Sequence, residues 1–326
     1  MIARRGLLHA AALLALLALL ALLAGAGPLV LVASAQNGPE EILLWPGTPP
    51  GNGSVTGPEK IGTEGAGLGA VSNIATPRMR VYRPAQPNGA AVLVAGGGGY
   101  FRIQLWKEST PAAEWLQAHG FTVFELIYRL PNDGWDAGAP FMDAQRAMKI
   151  IRTRAGEFGV NPAKIGIMGF SAGGHLAGFT AYQPARALYA GADRYEAVSA
   201  RPDFAVLLFP VVTLRKPYDT TRTRREIIGD KADAKAEADW SLDTYASKDA
   251  PPTIIFAAAD DTTTPPGHGI LLFETLVAAG ASAELHLFRD GGHGWGLGKQ
   301  GQVISQWPAL FQTWARSHEI IEKQGE

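Results

Sequence analysis

Beyond residue 35 the chain alternates short apolar runs with segments of helical period. AAVLVA (90–95), FTVFELIY (121–128), IGIMGF (165–170), FAVLLFPVV (204–212) and TIIFAAA (253–259) are almost continuously apolar. Runs of this length, apolar on successive residues, predict strands covered by helices on both faces. MRVYRP (79–84) and AELHLF (283–288) predict two more strands. Between them the spacing predicts helices over 111–119, ended by Gly120, over 141–158, over 269–279, ended by Gly280, and over 304–316. In the second of these Ala144, Met148 and Ile151 share one face, and Arg146, Lys149 and Arg152 another. Strands alternating with helices imply an α/β fold with a mostly parallel central sheet.

Two stretches break the alternation. Residues 36–76 are rich in Gly, Pro, Ser and Thr and predict an irregular N-terminal arm to a single domain over 36–326. Residues 214–249 are polar and charged, with Trp240 and Tyr245 among them, and are expected to form a cap or insertion over the site. Residues 1–35 have a different pattern: a basic start through Arg5, a Leu/Ala run from Gly6 to Leu23, helix-breaking Gly25, Gly27 and Pro28, then Val32-Ala33-Ser34-Ala35 before Gln36. This is the layout of a secretory signal peptide, so the chain is expected to be exported. If uncleaved, the long apolar run would anchor it instead. Arg4-Arg5 is a twin-arginine pair whose flanks do not favour that route.

Composition narrows the function classes. With 47% hydrophobic and 18% charged residues, the 326-residue chain is of globular type. A net charge of −1, with no basic stripe, gives no reason to expect a nucleic-acid partner. The absence of cysteine excludes disulfides, thiolate metal sites and a cysteine nucleophile. His119, His286 and His318 lack metal-ligand spacing, so no metal is expected.

The chemistry is carried by Gly169-Phe170-Ser171-Ala172-Gly173, which joins the strand IGIMGF to a helical segment starting HLAGF. Strand, G-x-S-x-G, helix is the setting of a serine nucleophile on a strained turn, beside the partial positive charge of a helix N-terminus. In a glycine-rich chain the pentapeptide alone is moderate evidence, so its partners decide. A serine hydroxyl needs a base, and the base an orienting carboxylate. TIIFAAA runs into Asp260-Asp261, of which Asp261 is favoured, the other capping the turn or facing solvent. AELHLF runs into RDGGHGWG, which carries His293. The order Ser, Asp, His is that of the serine hydrolases built on doubly wound sheets. An oxyanion needs two converging amides: one from Ala172, one from the run Gly96–Gly99 that follows AAVLVA. That run does not complete G-x-G-x-x-G, which argues against a dinucleotide site. Tyr100 and Trp295 flank these loops and either line an acyl or sugar pocket or pack; His175 is expected to be structural.

In combination GGGGY (96–100), AEWL (113–116), FELIYRL (124–130), FMDAQRAMKIIR (141–152), KIGIMGFSAGGHLA (164–177), APPTIIFAAADD (250–261) and DGGHGWGL (290–297) resemble the α/β-hydrolase esterases related to acetyl-xylan esterases, within the hormone-sensitive-lipase-like group. The resemblance implies Ser171 as nucleophile, Asp261 as acid, His293 as base, and Gly98, Gly99 and Ala172 as oxyanion donors. Ala95 stands where lipase-like members carry His, which resembles the carbohydrate-esterase branch, although its proline is missing too. The expected function is hydrolysis of short acyl, chiefly acetyl, esters of plant cell-wall carbohydrate without cofactor or metal. The alternatives are a broad small-ester carboxylesterase or lipase-like enzyme, and a secreted carbohydrate-binding module.

Overall fold

The computed structural model describes residues 39–191 and 193–322; the signal-peptide expectation over 1–35 lies outside them. The architecture is that of an α/β-hydrolase, organised by one eight-stranded sheet. In chain order its strands are β1 (Glu40–Leu43), β4 (Arg78–Tyr82), β5 (Ala91–Ala95), β7 (Thr122–Ile127), β8 (Ile165–Phe170), β9 (Phe204–Leu208), β10 (Thr253–Ala258) and β11 (Ala283–Phe288). Three short strands, β2 (Lys60–Ile61), β3 (Ala70–Ser72) and β6 (Ile103–Gln104), form a separate small sheet. The large sheet runs β1-β4-β7-β5-β8-β9-β10-β11. From β7 to β11 every pairing is parallel, and β4 and β1 close the other edge antiparallel.

Among the described residues the α-helices are α1 (Thr110–Ala118), α2 (Ala139–Thr153), α3 (Ala172–Tyr182), α4 (Arg222–Ile228), α5 (Ala234–Asp239), α6 (Gly267–Ala278) and α7 (Trp307–Ser317). Alternation along each strand splits the core in two. Leu93, Ile165 and Ile167 point to one face, where Met148 and Ile151 of α2, Leu176 of α3 and Leu272 of α6 cover them. Val92, Val94, Met168 and Phe170 point to the other, under Leu116 of α1 and Trp307 and Phe311 of α7. Both faces being buried is why these strands read as continuous apolar runs.

The chain leaves β5 for β7 on one side and returns across it to β8 on the other. Where strand order reverses, the loops after β5 and β8 part and leave a crevice at the carboxyl ends of the strands. The arm over 36–76 differs from its expectation. Four of its residues are β1, whose Glu40 and Glu41 bridge Arg83, Arg78 and Arg80. Cross-strand charge pairing at an edge holds a strand that is too polar to be recognised from hydrophobicity.

Candidate active site

Ser171 sits between β8 and α3 with φ 53° and ψ −116°. A non-glycine residue there costs roughly 1–3 kcal/mol and persists only where neighbours fix it. Three hydrogen bonds do so: the Ser171 amide donates to the Leu208 carbonyl (2.9 Å), and its carbonyl accepts from His175 (3.0 Å) and Val211 (3.2 Å). The flanking glycines are required by close approach. A Cβ on Gly169 would overlap the Gly173 carbonyl, and one on Gly173 the carbonyls of Ala95 and Gly96.

His293 enters from the loop after β11. Its Nε2 lies 2.9 Å from Ser171 Oγ, and its Nδ1 2.7 Å from Asp261 Oδ2. The Phe209 ring stands edge-on to the imidazole at 4.8 Å between centroids. Asp261 is buried, and its Oδ1 accepts the amides of Thr263 and Thr264 at 2.8 Å each. Asp260 faces solvent and accepts the Gly292 amide at 2.7 Å, a bond that holds its carboxyl below the usual carboxylate range. The structure thus brings Ser171, His293 and Asp261 into one hydrogen-bonded line and gives Asp260 the turn of the histidine loop.

Ala172 begins α3, where the first amides have no partner within the helix. Gly98 and Gly99 line the same cavity as Ser171, and no acceptor among the described residues takes their amides. The amide of Gly97 does have one: the buried carboxylate of Glu108, at 2.7 Å. Burial pushes the Glu108 carboxyl up; the Gly97 amide and the charges of His293, Lys107 and Arg102 oppose that rise. Sequence reasoning passed over Glu108, because LWKEST reads as the polar start of a helix. Its inward direction follows from one π-helical turn, Leu105–Ser109, ahead of α1.

The cavity above Ser171 is about 330 Å³. Val211, Thr263, Thr264 and Gly294 contribute to its wall, and Thr221–Thr223 come from the segment expected as a cap. Two later residues of that segment pack on the body: Leu242 is fully buried, and Trp240 stacks on Phe179 of α3. Tyr100 does not line the cavity. Its positive φ of 61° turns the ring under the glycine run, where it is fully buried with its hydroxyl 2.9 Å from His175 Nδ1. His175 is likewise buried, its Nε2 2.7 Å from the Trp240 carbonyl. Trp295 packs against Phe209 and lines a second hollow behind the His293 loop.

A family model described as BD-FAE matches residues 79–276. The chain belongs to the BD-FAE family. The acetylxylan esterase of Xylanibacter ruminicola is 30% identical over 244 residues, 74% of this chain and 48% of that protein. The chain spans about half the length, or less, of the curated relatives it matches. Among solved structures, the acetyl ester-xyloside bifunctional hydrolase of Caldicellulosiruptor lactoaceticus superposes with a TM-score of 0.69 at 27% identity, covering 84% of this chain and 98% of that one. A thermophilic esterase of Thermogutta terrifontis, Est2, shares the fold with a TM-score of 0.65 at 24% identity over 86% of this chain and 98% of its own. Among the described residues no helix is long and apolar enough to cross a membrane.

Proposed function

We propose that the chain is a serine carboxylic ester hydrolase acting on short acyl esters, chiefly acetyl, of plant cell-wall carbohydrate. The observation that carries this reading is the line Asp261–His293–Ser171, at 2.7 and 2.9 Å, ending beside unengaged amides. Ser171 Oγ attacks the ester carbonyl carbon while His293 Nε2 takes its proton. The carbonyl oxygen becomes an oxyanion facing the amides of Ala172 and of Gly98 or Gly99. The intermediate collapses with loss of the alcohol, which leaves with the proton from the imidazolium. Water, deprotonated by the same nitrogen, then releases the acid and restores the serine. Asp261 accepts from Nδ1 and fixes the tautomer that leaves Nε2 free to accept.

A carbohydrate leaving group is supported by buried polar atoms that lack partners on the cavity wall, Gln104 Oε1 and Thr264 Oγ1. The esterase names of the family relatives support the acetyl assignment. Export is supported by the leader pattern over 1–35.

The test is Ser171→Ala. Circular dichroism should stay native while kcat for 4-nitrophenyl acetate falls on the order of 10⁴-fold. A folded variant with near-normal turnover overturns the reading. The acyl preference is read from 4-nitrophenyl acetate, butyrate and octanoate, followed by acetylated xylan. Acetate should lead, each unaccommodated methylene forfeiting about 1–3 kcal/mol.

A further inference from the structure

The lining of the Ser171 cavity carries three cationic side chains, Arg102, Lys107 and Arg222, against one acid, Glu108. Phe101, the second residue after the glycine run, organises two of them. The guanidinium carbons of Arg102 and Arg222 lie 4.8 and 4.9 Å from its ring centroid. Arg222 is further held by Glu226 at 2.5 Å and by Asn132 Oδ1 at 3.0 Å. Arg102 has no such partner. Its Nε is buried without a hydrogen bond, and among the described residues neither it nor Lys107 forms an ion pair. Glu108 is buried, its Oε2 holds the Gly97 amide, and it acts on Lys107 and Arg102 through charge alone, without an ion pair to either.

A buried donor without an acceptor costs about 1–3 kcal/mol, more when charged. Two guanidinium groups on one ring also repel each other unless an anion shares them. The chain as a whole carries a net charge of −1, so this mouth is not the by-product of a basic protein. A neutral ester or a sugar hydroxyl offers a guanidinium an uncharged acceptor, and a carboxylate offers it a charged one, roughly twice as strong. A planar carboxylate matches a guanidinium in two parallel bonds.

We propose that the cavity beside Ser171 takes esters that carry a carboxylate, received by Arg102 and Arg222 with Lys107 alongside. The inference deepens the ester-hydrolase reading and rests on it. The carboxylate enters with either half of the substrate: on the alcohol, as in a uronate-substituted saccharide, or on the acyl group, as in a half-ester of a dicarboxylic acid.

Two matched pairs of esters separate these sources. In the first the alcohol varies, 4-acetoxybenzoate against 4-acetoxybenzamide. In the second the acyl group varies, mono-4-nitrophenyl fumarate against the 4-nitrophenyl ester of fumaramic acid, in which the trans double bond keeps the carboxylate from attacking its own ester. With each rate divided by its uncatalysed rate, the wild-type chain should prefer the anionic member of one pair by on the order of tenfold in kcat/KM at low salt. The pair concerned identifies the half of the substrate that bears the charge. In 0.5 M NaCl the preference should shrink several-fold, because partly exposed charges are screened. Arg102→Gln should lower the same ratio at low salt. Should that variant not fold, the salt dependence of the unaltered chain still decides. Equal rates within both pairs, with the neutral esters hydrolysed, overturn the proposal and leave the esterase reading intact. Failure to hydrolyse any of the four removes both.

Discussion

Asp260 and Asp261 are adjacent and chemically identical, yet one faces solvent and the other is sealed against the His293 imidazole. On the proposed roles, Asp261→Asn should lower kcat by about 10³–10⁴-fold through the wrong histidine tautomer, and Asp260→Asn should cost little. Steady-state kinetics on the two variants decide; a larger loss at Asp260 would exchange the roles. Glu108 gives a second test at this scale. Glu108→Ala frees the Gly97 amide and lets the glycine run shift, so kcat should fall on the order of 10–100-fold with KM nearly unchanged. Glu108→Gln keeps an acceptor oxygen and should recover part of the loss. Equal kinetics for the Ala variant and the unaltered chain would remove any positioning role. Legibility at this scale was uneven for a physical reason. The setting of Ser171 can be read because the glycines two residues to either side are required by backbone contact. Tyr100 misleads because its left-handed φ directs the ring inward and leaves Phe101 to face the cavity. No local pattern announces a single positive φ at tyrosine.

At the scale of elements, the long strands of the sheet and the helices that cover it follow the hydrophobic pattern to within a few residues, since each buries whole faces, whereas β1, α4 and α5 do not show in it. What the pattern misplaces is charge. The spacing sets Arg146 on one face of α2 with Lys149 and Arg152, yet Arg146 is buried, held by Asp193, Glu196 and the Leu44 carbonyl. Its neutralising partners come from distant segments, which periodicity does not see. The same holds for Arg129 and Asp143, both fully buried and joined through Nε and Nη2 at 2.8–3.1 Å. Trp45 donates to the same carboxylate at 2.8 Å, and Arg129 donates to the Pro50 carbonyl at 2.6 Å. This pair therefore fastens the N-terminal arm to α2 beneath the sheet's edge. Asp143→Ala strands a buried guanidinium and should cost about 3–5 kcal/mol of stability. Denaturant unfolding measures it, and a loss under 1 kcal/mol would show the pair to be incidental.

At the scale of the whole molecule, two buried histidines tie the body to the site. His175 lies between the Tyr100 hydroxyl and the Trp240 carbonyl. His268, on α6, accepts the amides of Val212 and Thr213 at Nδ1, while its Nε2 is buried without a partner. Burial lowers both from the ordinary 6.5 to about 4; for His268 the neighbouring His175 adds to the effect. In the unfolded chain each imidazole takes its proton near pH 6.5, and in the folded chain only near 4. Between those values the unfolded state binds more protons, so stability falls as pH falls. Above the unfolded value both states are neutral and the contribution is whole; below the folded value both are charged and the loss from these groups ends. Two protons give a slope approaching about 2.7 kcal/mol per pH unit in that window. Other groups titrate there too, so the contribution is isolated by difference. His268→Asn keeps an acceptor for the two amides and removes one titration. Its unfolding free energy, measured in guanidinium chloride from pH 7 to 4.5, should fall less steeply than the unaltered chain's by about 1 kcal/mol per pH unit on average. Parallel slopes would mean that His268 titrates alike in the folded and unfolded chain and that burial does not hold it neutral.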